Sequence, residues 1–330
     1  MLAIGTTVIA GNPDRQGEAG ASELLFNPWA RSAGLHSMST SFSTGVDAMR
    51  INVAGIGRIE NVEFAAGNAR LYEGSDLGFN AFGFVKRVGT GGAFGITMAS
   101  VDFGDILLTT NDQPEGVTTY SPSFFHMGLA YAHTYENKIS VGILIRGVFE
   151  SITDVSASGF AIDAGVQYVS GDNDEFKLGI SLRNVGSPME FKGEGLALQA
   201  GLDGEVVTLD QRAARFEMPS ALNIGLSYDF ALGADNVLRG LANFTSNAFS
   251  RDQIGVGAEL VIFDNYMLRG GYKLDFGDSA GALDNLYTGV AAGFTANLDI
   301  SSDFTLGLDY AYRTTNPFKG SHNFTVRVGF

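Results

Sequence analysis

The chain has 330 residues, a formal net charge of −15 and only 17 % charged residues. It contains no cysteine, which excludes disulfides, thiolate catalysis and cysteine-ligated metal sites, and the lack of a Lys/Arg-rich run argues against nucleic-acid binding. No run of about 18 apolar residues is present, so the sequence excludes helical membrane spans. The 44 glycines against 7 prolines favour a large β-sheet, because proline interrupts strand pairing.

Residues 1–16 form a short N-terminal segment that begins with an apolar run. Val8-Ile9-Ala10 resembles a signal-peptidase site, although no Lys or Arg precedes Arg15. Two interpretations stay open for this segment. It is either the remnant of an export signal or an ordered part of the mature protein.

Residues 17–60 do not alternate as a membrane strand would. The stretch from Glu23 to Arg31 predicts one or two helical turns interrupted near Pro28, and residues 34–57 are rich in Ser, Gly, Ala and Met. We expect residues 17–60 to form a hatch or plug that enters the lumen of a barrel from the periplasmic end.

Residues 61–330 fall into roughly fourteen segments of about ten to fourteen residues, each with period-2 alternation of apolar and polar side chains. In chain order the segments are 62–71, 77–87, 93–103, 124–134, 139–149, 160–170, 176–185, 216–230, 237–245, 254–263, 266–276, 286–298, 304–313 and 323–330. Tilted membrane strands need about 9 to 11 residues each. The sequence therefore predicts an all-β fold, a transmembrane antiparallel β-barrel of about 14 strands.

The connections between these segments alternate in length. One set is short, as at 171–175 and 264–265, and the other is mostly longer, as at 104–123, 151–159 and 186–215. In bacterial barrels the short turns are periplasmic and the long loops are extracellular. The alternation predicts a bacterial outer-membrane protein with both termini on the periplasmic side, in contact with outer-membrane lipid.

The charged side chains of the predicted strands share the less apolar face, which we assign to the lumen. The candidates for a lumen charge network are Arg146, Asp163, Arg183, Arg269, Asp309, Arg313 and Arg327. Charges of both signs can pair across a lumen and fill it, or they can mark a path for a solute. Both interpretations stay open.

The last segment ends on an aromatic residue. Phe324, Val326, Val328 and Phe330 share one face of the predicted strand, and Phe330 carries the terminal carboxylate. A terminal aromatic residue on an amphipathic strand resembles the recognition signal of outer-membrane barrels. We interpret Phe330 as the insertion signal.

The sequence offers little for catalysis. Gly277-Asp278-Ser279-Ala280-Gly281 matches the nucleophile elbow in letters, but it lies in a predicted hairpin loop instead of a strand-turn-helix unit. The four histidines lie in different segments without metal-ligand spacing. We therefore expect no enzyme activity, no cofactor and no metal, and we expect lipid or detergent in the barrel or at its surface.

The predicted loop 186–215 is unusually apolar for an extracellular loop. Its candidate contact residues are Met189, Phe191, Leu196, Leu198, Val206 and Val207. Either the loop folds down into the mouth of the barrel or it docks a partner protein, and the sequence does not favour one of these alternatives.

Stretches along most of the chain resemble the PorV/PorQ group of outer-membrane proteins. They include Gly17-Glu-Ala-Gly-Ala-Ser-Glu-Leu-Leu25, Val101-Asp-Phe-Gly-Asp-Ile106, Ser156-Ala-Ser-Gly-Phe-Ala-Ile-Asp-Ala-Gly-Val166, Leu178-Gly-Ile-Ser-Leu-Arg-Asn-Val-Gly186 and Met218-Pro-Ser-Ala-Leu-Asn-Ile-Gly-Leu226. Where the group has a Trp-Asn-Pro-Ala-Gly-Leu box, this chain has Ile51-Asn52-Val53-Ala54-Gly55-Ile56. Asn52, Ala54 and Gly55 match the box, and the proline does not.

The resemblance implies a FadL-like barrel of fourteen strands around an N-terminal hatch. It also implies a role in the type IX secretion system of the Bacteroidetes lineage, without enzyme activity. Members of the group bind a large translocon barrel and receive secreted cargoes through a C-terminal domain that the cargoes share. The alternative is a FadL-like transporter that carries hydrophobic small molecules across the outer membrane. An outer-membrane lipase would depend on Ser279 alone.

Overall fold

The computed structural model describes residues 12–202, 205–233, 235–276, 285–301 and 303–330. Strands make up most of the described chain from Val62 onward. In chain order the strands are β1 (Val62–Arg70), β2 (Gly78–Val88), β3 (Gly92–Asp102), β4 (Ile106–Leu108), β5 (Thr118–Tyr120), β6 (Ser123–Tyr135), β7 (Ile139–Ile152), β8 (Val155–Ser170), β9 (Phe176–Gly186), β10 (Ala197–Leu202), β11 (Glu205–Asp210), β12 (Ala221–Ala231), β13 (Asn236–Asn247), β14 (Gln253–Ile262), β15 (Tyr266–Asp275), β16 (Gly289–Ser301), β17 (Phe304–Arg313) and β18 (Ser321–Gly329).

Fourteen of these strands close into one antiparallel barrel. Strands β1–β3, β6–β9 and β12–β18 pair in sequence order, and β18 returns to pair with β1. The remaining strands form two separate hairpins, β4 with β5 and β10 with β11, within the connections 103–122 and 187–220. The predicted all-β barrel of about 14 strands is confirmed.

The outer face of the barrel is apolar and the inner face is polar. On β7, for example, Ile143 and Ile145 are 47 % and 55 % exposed, whereas the next side chain, Arg146, is 1 % exposed. An exposed apolar belt of this extent around a closed barrel matches the hydrocarbon layer of a bilayer. Among the described residues, no helix has both the length and the hydropathy needed to span a membrane.

The connections at the two ends of the barrel differ in length. At one end they are the short turns 89–91, 136–138, 171–175 and 263–265. We call this the short-turn end and the opposite one the long-loop end.

The prediction of a long loop at 151–159 is wrong. Strands β7 and β8 continue through this stretch and meet in a tight turn, in which Thr153 adopts a left-handed backbone with φ of 47°.

Two predicted strands begin later than the sequence pattern indicated. Strand β12 begins at Ala221 instead of residue 216, because Pro219 has no N–H for a ladder and Phe216 pairs instead with Met189. Strand β16 begins at Gly289 instead of residue 286.

Residues 21–59 lie inside the barrel. They form two short helices, α1 (Ala30–Ala33) and α2 (Gly45–Ile51), and two 3₁₀ helices, Ser22–Leu25 and Val53–Arg58. Helix α1 contacts β16, β17 and β18, while the second 3₁₀ helix contacts β6, β7 and β8 across the lumen. The segment therefore bridges distant parts of the wall. Further 3₁₀ turns lie at Pro13–Arg15 and Glu194–Leu196.

The N-terminal segment runs the length of the lumen. At the long-loop end, Arg15 forms an ion pair with Glu217, and at the short-turn end the Arg58 guanidinium donates to the Lys138 carbonyl over 3.0 Å. We expected both chain ends at the short-turn end. Phe330 lies there, but the first described residues lie at the opposite end, and residues 1–11, with the predicted export-signal remnant, lie outside the described residues.

Phe330 lies at the seam where the barrel closes. Its backbone exchanges two hydrogen bonds with Val62, of 3.0 and 3.2 Å, and its ring packs edge-on against Phe64 and Phe304. The ring is half exposed on the outer face. Its role as an insertion signal stays a prediction.

Candidate functional site

The predicted hatch motif fixes the N-terminal segment to the barrel wall. The Asn52 side-chain amide donates to the Thr40 carbonyl at 2.9 Å within the segment and to the Val166 carbonyl at 3.0 Å on β8. Its carbonyl oxygen accepts from the Ala54 N–H at 3.3 Å. Asn52 and Ala54 are fully buried, so these contacts are shielded from water. Gly55 faces the Ser43 carbonyl so closely that a Cβ would lie 1.9 Å from it.

Small residues in the wall allow this close approach. A Cβ on Gly165 would lie 1.9 Å from the Asn52 carbonyl oxygen, and one on Gly142 would lie 2.8 Å from the Val53 carbonyl. Both glycines point inward from β8 and β7. Their missing side chains make the space in which the motif sits.

Sequence reasoning missed a second buried asparagine, Asn27. Its amide donates to the hydroxyls of Ser32 and Ser37, and its backbone carbonyl accepts from Arg313 and Asn323 of the wall. The Asn-Pro dipeptide was the only signal, since it favours a chain reversal at this point.

A hydrogen-bonded chain continues from Asn27 to helix α2. Ser32 donates to the Asp47 carboxylate over 2.6 Å, and Asp47 is 4 % exposed. Burial raises the pKa of Asp47 to about 7, because the charged form loses its hydration. Nearby, Trp29 is buried against Gly67 of β1.

Most of the predicted lumen charges form ion pairs. Arg327 pairs with Asp309 at 2.7 Å, and Arg269 pairs with Glu259 at 2.8 Å. Thr295 links the two pairs, since it donates to Asp309 and accepts from Arg269. Glu259 also pairs with Arg239 at 2.8 Å. Glu259 and Arg239 are central to this network, although they are not among the lumen charges predicted from the sequence.

Arg146 and Asp163 form a second, separate group. Their side chains pair at 2.8 Å, and Asn184 binds both of them. Asn184 has a left-handed backbone with φ of 58°, and the register of β8 with β9 shifts at this point. This bulge places the consecutive residues Arg183 and Asn184 on the inner side of the wall.

Arg183 and Arg313 do not join either network. Within the described part of the chain neither has a carboxylate partner at ion-pair distance. Instead, both line a cavity of about 330 Å³ between the N-terminal segment and the wall at the long-loop end. The predicted single charge network is therefore wrong for these two residues, because alternation assigns a side chain to a face but does not assign its partner.

Three kinds of side chain line most of this cavity. Its cations are Arg183, Lys273 and Arg313, and its aromatic side chains are Phe26, Tyr72, Phe249 and Tyr287. Uncharged polar side chains cover much of the remainder, namely Ser22, Ser37, His36, Ser220, Asn223, Thr245, Asn247, Ser250, Gln253 and Asn285. No aspartate or glutamate is among the described residues that line it. Exposed residues at its edge, such as Ser22 and Leu25, place its opening at the long-loop end.

A second cavity, of about 200 Å³, lies on the short-turn side of the N-terminal segment. Arg31, Arg58 and Arg239 are among its lining residues, and no residue lines both cavities. Leu35, Met38, Phe42 and Leu241 pack into a buried apolar cluster between the N-terminal segment and β13. In this conformation the N-terminal segment separates the two cavities.

The apolar loop residues divide into two groups. Met189 is completely buried, and it packs with Phe191 and Phe216 against the upper ends of β7 and β8. The outer part of the loop contains the other four, Leu196 within the 3₁₀ turn and Leu198, Val206 and Val207 beyond it. Of these, Leu198 and Val206 are exposed. One part of the loop thus folds onto the mouth of the barrel, and the other part projects from it.

The projecting part is the amphipathic β10–β11 hairpin. Leu198 pairs with Leu209 and Ala200 pairs with Val207 on one face, while Gln199 and Thr208 share the other face. The apolar face includes exposed Leu198 and Leu209. Ser279 of the nucleophile-elbow sequence lies outside the described residues.

Comparison with solved structures finds the same architecture in outer-membrane channels. The CymD monoaromatic hydrocarbon channel aligns with a TM-score of 0.59 and 13 % identity, over 93 % of this chain and 98 % of that one. The toluene transporter TodX of Pseudomonas putida aligns with a TM-score of 0.55 and 13 % identity, over 90 % and 96 %. A FadL homologue of Pseudomonas aeruginosa gives 0.53 and 12 %, over 92 % and 98 %.

The chain has a FadL-like barrel fold. No protein-family model and no curated protein matches the sequence. At this identity the similarity concerns the FadL-like fold alone.

Proposed function

We propose that the protein is a channel of the bacterial outer membrane for small molecules with an apolar body. The single observation that carries the proposal is the cavity at the long-loop end. Its volume of about 330 Å³ lies within the usual range of small-molecule sites, about 300 to 1,000 Å³, and its wall combines aromatic rings with a few polar groups. The neighbours in fold that are named as hydrocarbon channels support the same choice.

The N-terminal segment then acts as the hatch of this channel. It occupies the lumen between the two cavities, and it contacts the wall through hydrogen bonds and apolar clusters, the largest of which packs Trp29 and Met49 of the segment with wall residues such as Phe79. We call the cavity at the long-loop end the upper cavity and the one on the short-turn side the lower cavity. No continuous space connects them, so a solute bound in the upper cavity cannot reach the lower one. The hatch must therefore shift for transport along the lumen.

Filling the cavity tests this proposal. Ala221 is an inward-facing, cavity-lining residue of β12, and Ile224 faces outward on the same strand. We expect Ala221→Trp to lower the initial rate of labelled toluene uptake by intact Gram-negative cells at least about tenfold, and Ile224→Trp to leave it unchanged, because only the first occupies the site. Heat-modifiability on gels confirms that both barrels are closed. Uptake by Ala221→Trp at the wild-type rate would contradict the proposal.

A second candidate is a role in type IX secretion, with the translocon barrel and cargo C-terminal domains as partners. Only the exposed apolar face of the β10–β11 hairpin favours it, since such a face is suited to bind a protein. If this candidate is right, Leu198→Asp with Leu209→Asp removes co-purification of the translocon from native membranes. The matched control changes Gln199 and Thr208 to Asp on the opposite face. Equal co-purification of the translocon with both variants would exclude this role for the hairpin.

A further inference from the structure

The described residues that line the cavity at the long-loop end include three cations and no carboxylate. Lys273 points inward from β15, is 8 % exposed, and makes no hydrogen bond or ion pair with any described residue. Arg183 and Arg313 each donate one hydrogen bond, to the carbonyls of Leu24 and Asn27, while their buried Nε atoms have no partner in the described part of the chain. Three cations thus surround one space, although the whole chain has a net charge of −15.

The carboxylate of Asp275 does not pair with these cations. Asp275 lies two residues beyond Lys273 on β15 but is bound by Gln253 and Asn285, whose amides donate to it at 3.1 and 2.7 Å. The Asn285 backbone N–H adds a third hydrogen bond at 2.7 Å. Asp275 thereby holds the loop at Asn285 in place instead of pairing with the cavity cations.

The amide side chains of the cavity are also engaged elsewhere. Asn247 donates to the Arg251 carbonyl at 2.8 Å, and the Asn223 carbonyl oxygen accepts from Thr245 at 2.8 Å. Their polar groups are satisfied by the protein itself. Besides the three cations, the Tyr287 hydroxyl and the His36 ring nitrogens have no hydrogen-bond partner among the described residues. Of these groups, the cationic donors bind an anion most strongly.

Aromatic rings lie beside these cations. The Arg313 guanidinium carbon is 4.1 Å from the centre of the Tyr287 ring, which stacks on Tyr72 at 6.5 Å. Phe26 meets Tyr72 edge-on at 6.3 Å. This arrangement offers ring surfaces and a cationic group to one ligand, because aromatic rings pair best with other rings in stacked or edge-on geometry.

We propose that the cavity binds a compact aromatic carboxylate, with its ring against Tyr72, Tyr287 and Phe26 and its carboxylate bound by Lys273, Arg183 and Arg313. This inference rests on the proposed channel function and names its substrate class. The bulge at Asn184 contributes to this arrangement. It lets Arg183 face the cavity while Asn184 accepts a hydrogen bond from Arg146 of the Arg146–Asp163 pair.

Calorimetry on the purified barrel in detergent tests the inference with benzoate and benzamide, which have the same shape but differ in charge. We expect benzoate to bind at least about tenfold more tightly than benzamide, and Lys273→Gln to weaken benzoate alone by about tenfold, the loss of one charge-assisted hydrogen bond. Lys273→Arg should retain benzoate binding. Lys86→Gln, which removes an exposed cation of β2 beside the short turn 89–91, is the matched control and should change neither affinity.

Each remaining outcome has a defined meaning. Equal binding of benzoate and benzamide, or wild-type benzoate affinity in Lys273→Gln, would overturn the anion assignment. If acetate binds as tightly as benzoate, the proposed packing of the ligand's ring against the aromatic side chains is wrong. Binding of benzamide and toluene without benzoate would refute this inference and leave the channel function standing, whereas transport that is unaffected in Ala221→Trp would refute the channel function itself.

Discussion

Inward-facing charged side chains fill the lumen in two ways, by pairing with one another and by lining the cavity. Arg146, Arg327 and Asp309 could be assigned to the lumen from alternation, and they pair there. Arg183 and Arg313 follow the same pattern but line the cavity. Partners come from neighbouring strands and from the N-terminal segment, so the register of the whole barrel is needed to identify them.

Asp47 gives the attachment of the hatch a pH dependence. The pKa of Asp47 is raised by burial above its unfolded value, so its contribution to stability is fully present below about pH 4 and is lost as the pH rises through about 7. Trp29 is the only tryptophan of the chain and reports on the hatch. We expect the urea midpoint of its fluorescence to be lower at pH 8 than at pH 5.

Asp47→Asn is the control for this effect. An amide can still accept the Ser32 hydroxyl proton but does not titrate, so the midpoint should vary much less with pH between 5 and 8. An equal pH dependence in wild type and variant would assign the titration to another group.

At the scale of elements, the strands could be predicted because their two faces meet different surroundings. Outward residues such as Leu129 and Val256 meet an apolar medium, and inward residues such as Asn323 meet a polar lumen. The prediction failed where this contrast is lost. At 151–159 a polar stretch continues as strand above the apolar belt, and at Phe216 an apolar residue pairs within a loop.

Glu259 holds three neighbouring strands together. From β14 it pairs with Arg239 on β13 and Arg269 on β15, and it is 1 % exposed. We expect Glu259→Ala to destabilise the barrel by about 3 to 5 kcal/mol, because it leaves buried cations with fewer partners. The change is measured as the denaturant midpoint of barrel unfolding.

The exposed ion pair of Glu217 with Arg15 provides the comparison. Glu217→Ala should leave the denaturant midpoint almost unchanged, since water screens exposed pairs. Similar losses in the two alanine variants would mean that the lumen network contributes no more than a surface contact.

At the scale of the whole molecule, the fold could be predicted from the chain length and from the alternation of apolar and polar side chains. The hatch could be located because this alternation is absent from residues 17–60. The cavity could not be predicted, because its wall combines residues from the N-terminal segment, β9, β12–β15, β17 and their loops. Such a space depends on how the hatch sits in the barrel. The proposed transport function joins these two features, since the hatch both forms the cavity and closes the way beyond it.

A reversible tether between hatch and wall tests this account most directly. The hydroxyl oxygens of Ser41 in the hatch and Ser227 on β12 lie 2.9 Å apart, and the chain has no cysteine of its own. In Ser41→Cys with Ser227→Cys, the account predicts that oxidation lowers the initial rate of toluene uptake at least about tenfold and that a reductant restores it, while Ser41→Cys alone is insensitive to both. Uptake at an unchanged rate with the disulfide formed would contradict a hatch that must shift for transport.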